Sequence, residues 1–139
     1  MFCQFISIVL QFISVLPRTE NEIIAILGPN PFETIAASSG IINVSEQGHG
    51  RSTGDTVRFR GAPSTSASFN TPQSFDGVTG TNVAKAAGYS ITVGKRDSSG
   101  NITQTDNFYH FTVDTNTATS GEVSGGGNSC SAGPATLSA

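Results

Sequence analysis

The sequence predicts an all-β fold, a small barrel or sandwich of about five to seven short strands, with an apolar N-terminal arm and a flexible Gly/Ser C-terminal tail. Three observations carry that expectation. In Thr56–Arg60, Val57 and Phe59 fall on one face while Thr56, Arg58 and Arg60 fall on the other, the two-residue period of a half-buried strand. Tyr89 to Val93 and Phe108 to Val113 show the same alternation. Between such runs the chain is punctuated by 16 glycines and many Ser and Thr, which favours short strands joined by turns over long helices. Charged residues make up only 12% of the chain, so Ser, Thr, Asn and Gln must carry much of the exposed surface.

Composition divides the 139 residues into an apolar arm (1–30), a β-barrel module (31–123) and a tail (124–139). Within the module, Gly40 to Ser45 alternates weakly with Ile42 and Val44 inward, and Thr56–Arg60 follows. The stretch from Pro63 to Thr71 has no period and reads as an excursion loop. Phe75-Asp76-Gly77-Val78 reads as a short strand or turn whose Phe75 plugs one end of the barrel. Tyr89, Ile91 and Val93 form the cleanest alternation, and Asp97 to Asn101 is a polar turn that closes a hairpin onto Ile102. The last strong strand places Tyr109, Phe111 and Val113 on one face, with His110 on the other and expected at the surface. Gly125-Gly126-Gly127 reads as a flexible joint leading to the tail.

The N-terminal arm repeats Gln4-Phe5-Ile6-Ser7 as Gln11-Phe12-Ile13-Ser14. On a helix, the four polar residues would make one narrow stripe, a pattern for an element buried nearly all round. The β-branched residues favour an extended arm instead, and Pro17 ends the element in either case. A signal peptide fits the length of the apolar run, but no Lys or Arg precedes it and no small-x-small site follows before Pro17. A membrane span would need about 20 apolar residues and no pair of glutamines. A mis-assigned start is a further alternative. The arm is therefore expected to bury itself on neighbouring subunits through Phe2, Phe5, Ile6, Phe12, Ile13, Ile23, Ile24 and Ile26, with Arg58 and Arg60 pairing with acidic groups across an interface.

No residue pattern predicts catalysis, a cofactor or a metal. His49, Ser52 and Asp55 lie within one glycine-rich loop, where a turn histidine serves backbone geometry better than it serves a hydrolase triad. His49 and His110 are far apart, with no Cys/His cluster near either. Asp97-Ser98-Ser99-Gly100 lacks the alternating acids of a calcium loop. Cys3 and Cys130 lie near opposite ends, where a disulfide between the tails is one option. The net charge of -3 argues against a nucleic-acid partner.

Several motifs occur together in order: Pro31-Phe32, Gly40-Ile41-Ile42-Asn43-Val44, Gly48-His49-Gly50, Gly54 to Ala62, Phe75-Asp76-Gly77-Val78, Gly88 to Val93, Phe108 to Val113 and Ala118-Thr119-Ser120-Gly121. Over residues 31–127 the chain thereby resembles a small β module of tailed-phage virion proteins, similar in fold to the first catalytic cysteine half-domain (FCCH) of ubiquitin-activating enzymes. It departs from that module at Arg51, where an apolar residue is usual, and in a longer stretch before Phe75. The half-domain holds no catalytic cysteine, so the resemblance implies no enzyme. It implies a virion structural protein, a capsid decoration or cement protein or a tail-associated one. Its partners would be other virion proteins and copies of itself in a homo-oligomer, with no membrane in the mature particle. The alternative is a secreted or surface-displayed β-barrel that binds a ligand such as a glycan.

Overall fold

The computed structural model describes residues 24–61, 74–115 and 117–136. Among the described residues, thirteen short strands and one four-residue helix follow one another. They are β1 (Ala25–Ile26), β2 (Phe32–Thr34), β3 (Ile41–Ser45), β4 (Thr56–Arg60), β5 (Ser74–Phe75), β6 (Val78–Thr79), α1 (Gly80–Val83), β7 (Tyr89–Ser90), β8 (Thr92–Val93), β9 (Lys95–Arg96), β10 (Ile102–Thr103), β11 (Phe108–Thr112), β12 (Ser124–Gly125) and β13 (Ser131–Gly133). Four strands form one antiparallel sheet in the order β1-β13-β4-β7, and five form a second in the order β12-β2-β3-β11-β8. The two sheets stay open, so the fold is a sandwich and the barrel expectation is corrected.

The predicted alternation builds the layer between the sheets. Val57 and Phe59 from β4 meet Ile42, Val44, Tyr109 and Phe111 from β3 and β11, all of them buried. Phe59 stands at the centre: its ring is 5.1 Å from that of Phe32, edge-on, and 5.1 Å from that of Phe111, stacked. Tyr89 stacks on Phe111 at 4.5 Å. Such ring pairs add to the area term that dominates core energetics.

Tyr89 to Val93 is not one strand. β7 pairs with β4 and β8 with β11, so the chain changes sheets at buried Ile91. Strands that switch sheets make the corners of such sandwiches. The hairpin expected across Asp97–Asn101 is present, formed by β9 and β10 with Ile102 opposite Arg96. Asp97 closes its turn by accepting from the amides of Ser99 and Asn101, both at 2.9 Å.

The expected tail is the largest correction. Strand β12 pairs with β2, and β13 inserts between β1 and β4, with Ala132 opposite both Ala25 and Phe59. Cys130 and Ala132 are fully buried. The glycines read as a flexible joint serve close approach instead. A Cβ on Gly125 would lie 2.4 Å from the Phe75 ring, and one on Gly126 would lie 2.6 Å from the Phe32 ring. The chain runs over two aromatic rings where no side chain fits. On the N-terminal side Leu27 is also in the core, so residues from both flanks of 31–123 belong to the folded unit. Residues 1–23 and the predicted loop at Pro63 to Thr71 lie outside the described residues.

Phe75 stacks on Phe32 at 6.3 Å at the rim of the core. It sits in a two-residue hairpin whose central residues, Asp76 and Gly77, both have positive φ (52° and 87°), as a type I′ turn demands. The Asp76 carboxylate then ties this hairpin to the 117–121 segment. It accepts from the hydroxyls of Thr34 (2.7 Å), Thr119 (2.8 Å) and Ser120 (2.7 Å), and from the amides of Ser120 (2.9 Å) and Gly121 (2.7 Å). Burial alone would push this carboxyl up, but hydrogen bonds from Thr34, Ser120, Thr119 and Gly121 outweigh it and hold the group well below the usual carboxylate range.

Candidate interaction surface

In an antiparallel ladder, directly paired residues point to the same side of the sheet. Ile26 pairs with Ser131, and Ser131 pairs with Arg60, so the three form one row on the outer face of the four-stranded sheet. Arg58, paired with Gly133, adds a second cation on that face, two positions back along β4. Ile24 precedes β1 by one residue. Ile24 is 60% exposed and Ile26 is 81% exposed. Four of the sequence-predicted contact residues, Ile24, Ile26, Arg58 and Arg60, are thus gathered at one sheet. The strand that joins them is β13, which the sequence had placed outside the fold. The others, Phe2, Phe5, Ile6, Phe12, Ile13 and Ile23, lie outside the described residues.

The two arginines have no carboxylate partner among the described residues. Arg60 donates from Nη2 to the carbonyls of Pro134 (2.7 Å) and Ala135 (3.3 Å). Arg58 Nε is shut off from solvent with no hydrogen-bond partner. Burial, and after it the like charge of Arg58, lowers the pKa of Arg60. A carboxylate placed over the pair would relieve that repulsion.

Beneath this sheet lies a buried polar cluster that holds β13 in place. Arg51 donates from Nε to Glu46 Oε1 (3.1 Å) and from Nη2 to the Ala132 carbonyl (3.3 Å), and its side chain is fully buried. The Tyr109 hydroxyl donates to the same Glu46 oxygen at 2.6 Å, and the Arg51 guanidinium lies 5.8 Å from the centre of the Tyr109 ring. Burial, and then the neighbouring Glu46 charge, pushes the Tyr109 hydroxyl well above its ordinary pKa. A polar residue can stand at position 51 because every part of this cluster finds a partner.

His49 completes the cluster edge-on to Tyr109, with ring centres 5.3 Å apart. Its Nδ1 accepts from the Arg51 amide (2.9 Å), which makes Nε2 the protonated nitrogen that donates to the Thr105 carbonyl (2.7 Å). Asp55 caps the Ser52 amide at 2.9 Å. Both nitrogens of His49 are therefore spent on backbone groups, and the three residues of the imagined triad do not converge on a reacting atom.

The outer face of the five-stranded sheet holds what the sequence reading missed. His110, expected at the surface, is only 7% exposed, and Asn43 beside it is buried. The β9–β10 hairpin covers them. The Asn43 side chain grips the backbone of Arg96, donating to its carbonyl (2.8 Å) and accepting from its amide (2.9 Å). His110 donates from Nδ1 to the Gly94 carbonyl at 2.8 Å. Lys95 reaches Glu33 at 3.3 Å and lies over the Phe108 ring. Arg96 stands between two polar clefts, one of about 320 Å³ towards Glu33 and Glu122, the other of about 380 Å³ towards His110 and Lys85. Nothing in the alternation of Lys95 and Arg96 announces a cleft; only the fold-back of the hairpin makes one.

Among the described residues no group of three His, Cys, Asp or Glu side chains could hold a metal ion, and no helix is long and apolar enough to cross a membrane. No protein-family model, curated protein or solved structure matches this chain.

Proposed function

We propose that this chain is a non-catalytic structural component of a tailed-phage virion, a capsid decoration or cement protein or a tail-associated one. It acts through the outer face and free edge of its four-stranded sheet. The observation that carries the reading is the exposure of Ile24 and Ile26 in line with Arg60 and Arg58. Aliphatic area beside arginine is the composition of a protein contact, and arginine is enriched at such surfaces while most other charges are depleted. Among the described residues β1 ends its sheet, and such an edge takes a strand from another chain. The apolar residues Phe2, Phe5, Ile6, Phe12, Ile13 and Ile23 precede β1 in the sequence, and a neighbour's surface would cover them. A copy of this chain, with its net charge of -3, offers the acidic groups that Arg58 and Arg60 would meet. The resemblance to phage virion modules supplies the particle.

Imaging of purified particles is the test. Density for the sandwich at repeated positions, with the Arg58 face against a neighbour, is expected. The double variant Ile26→Asp/Arg58→Glu should be incorporated at least about tenfold less than wild type, since like charge and lost apolar area act together. Recovery of the chain in the culture medium with its N-terminal segment removed, and its absence from particles, would overturn the proposal in favour of a secreted binding module.

A further inference from the structure

We propose that the cleft between β7, β8 and Arg96 is a binding site for a sugar acid, a single ring carrying a carboxylate and neighbouring hydroxyls. The site is distinct from the contact surface above and lies at the corner where the chain passes from β7 of the four-stranded sheet to β8 of the five-stranded one. Its cation is Arg96. The guanidinium makes no hydrogen bond or ion pair among the described residues, and its Nε is closed to solvent. All of its pairing capacity therefore lies on the Nη1–Nη2 edge, the edge that takes a planar carboxylate through two parallel bonds. Partial removal from water strengthens such a pair.

Charge decides which of the two clefts an anion enters. The cleft towards β2 is lined by Glu33, which Lys95 neutralises at 3.3 Å, and by Asp97 and Glu122, which no cation pairs among the described residues and which repel a carboxylate. On the other side the one carboxylate is Asp114, and Lys85 neutralises it at 2.8 Å. At about 380 Å³ that second cleft is within the range of small-molecule sites and takes one hexose-sized ring.

The remaining walls ask for hydroxyls. Ser90, Thr92 and Thr112 line the cleft, and a hydroxyl side chain can donate or accept. His110 lines it too, and its tautomer is settled by the Gly94 carbonyl: Nδ1 carries the proton, so Nε2 of the neutral ring is an acceptor with no partner among the described residues. An acceptor there pairs with a ligand hydroxyl and opposes an oxyanion that is all acceptors. A sugar acid satisfies both ends, with its carboxylate on Arg96 and a ring hydroxyl on His110.

Equilibrium dialysis of the full chain against labelled glucuronate tests this, with glucose, acetate and inorganic phosphate as competitors. Glucuronate should bind with one site per chain. Acetate and glucose, each with half of the required chemistry, should compete at least about tenfold less well. Arg96→Gln should weaken glucuronate about tenfold or more while leaving the melting temperature unchanged, because that side chain holds nothing in the fold. Thr92→Val should weaken glucuronate but not acetate. Unaltered glucuronate binding by Arg96→Gln would overturn the site. Equal competition by acetate or by phosphate would overturn the sugar-acid assignment, as would an absence of saturable glucuronate binding.

Discussion

On the four-stranded sheet, Arg58 and Arg60 alternate with Val57 and Phe59 and stay only half-buried. On the five-stranded sheet, Asn43 and His110 alternate with Ile42, Val44, Tyr109 and Phe111 in the same way, yet both are buried. The local pattern is identical. The difference is a hairpin: β9 and β10 fold back across one outer face, and no described strand covers the other. An alternating strand thus declares which residues turn away from the core, but whether those residues meet water, a neighbour or another part of the chain is decided by segments far along the sequence.

The comparison breaks most readily in the shared interior. Glu46→Ala leaves the Arg51 guanidinium buried against Tyr109 and should cost about 3–5 kcal/mol in chemical denaturation, whereas replacing the pair together with Leu and Met should recover most of it. Phe111→Ala should cost a similar amount, about 3–5 kcal/mol, because its ring stacks on both Phe59 and Tyr89. A loss under about 1 kcal/mol in either variant would mean that the two sheets do not share this core.

The two outer faces should then separate. Asn43→Ala strips two hydrogen bonds from the Arg96 backbone under the hairpin and should cost about 1–3 kcal/mol. A smaller loss would show that the hairpin lifts away from its sheet. Asp76 sharpens the comparison through pH, since it sits at the rim and belongs to neither outer face. Its folded pKa is depressed, so its contribution is complete above the ordinary carboxylate value of about 4 and is lost as pH falls below that value. Denaturation midpoints measured through that window should fall more steeply for wild type than for Asp76→Asn; parallel curves would contradict the five-donor cage. Smallest of all, Ile26→Ser and Arg58→Ser should change stability by no more than about 0.5 kcal/mol, because neither side chain is held by the fold.

The strands with apolar alternation were legible in the sequence. Val57 with Phe59, Ile42 with Val44, and Tyr109 with Phe111 all face inward as their spacing predicts. So was the Asp97 turn, because Asp and Gly carry their own turn geometry. Strand β13 was not, since Ser131-Ala132-Gly133 has no apolar period and reads as linker. Its place is set by smallness, which lets it lie between β1 and β4 with Ala132 against Phe59. The proposed contact surface was half legible. Its residues could be named, but their assembly into one face depends on that same unreadable strand. The Arg96 cleft was not legible at all, because it exists only where the covering hairpin and the sheet-switching corner at Ile91 come together.

The insertion of β13 between β1 and β4 also sets an order of events during synthesis. Ala25 and its partner Ala132 are separated by more than a hundred residues, so β1 emerges from the ribosome long before the strand it must pair with exists. At ordinary rates of about 5–20 residues per second, the edge waits several seconds with its isoleucines and backbone uncommitted. The row of Ile26, Ser131 and Arg60 cannot form until residues 131–133 have been made. A nascent or truncated chain therefore lacks the completed face, and under the proposed function only a chain translated through β13 would be able to join its neighbours.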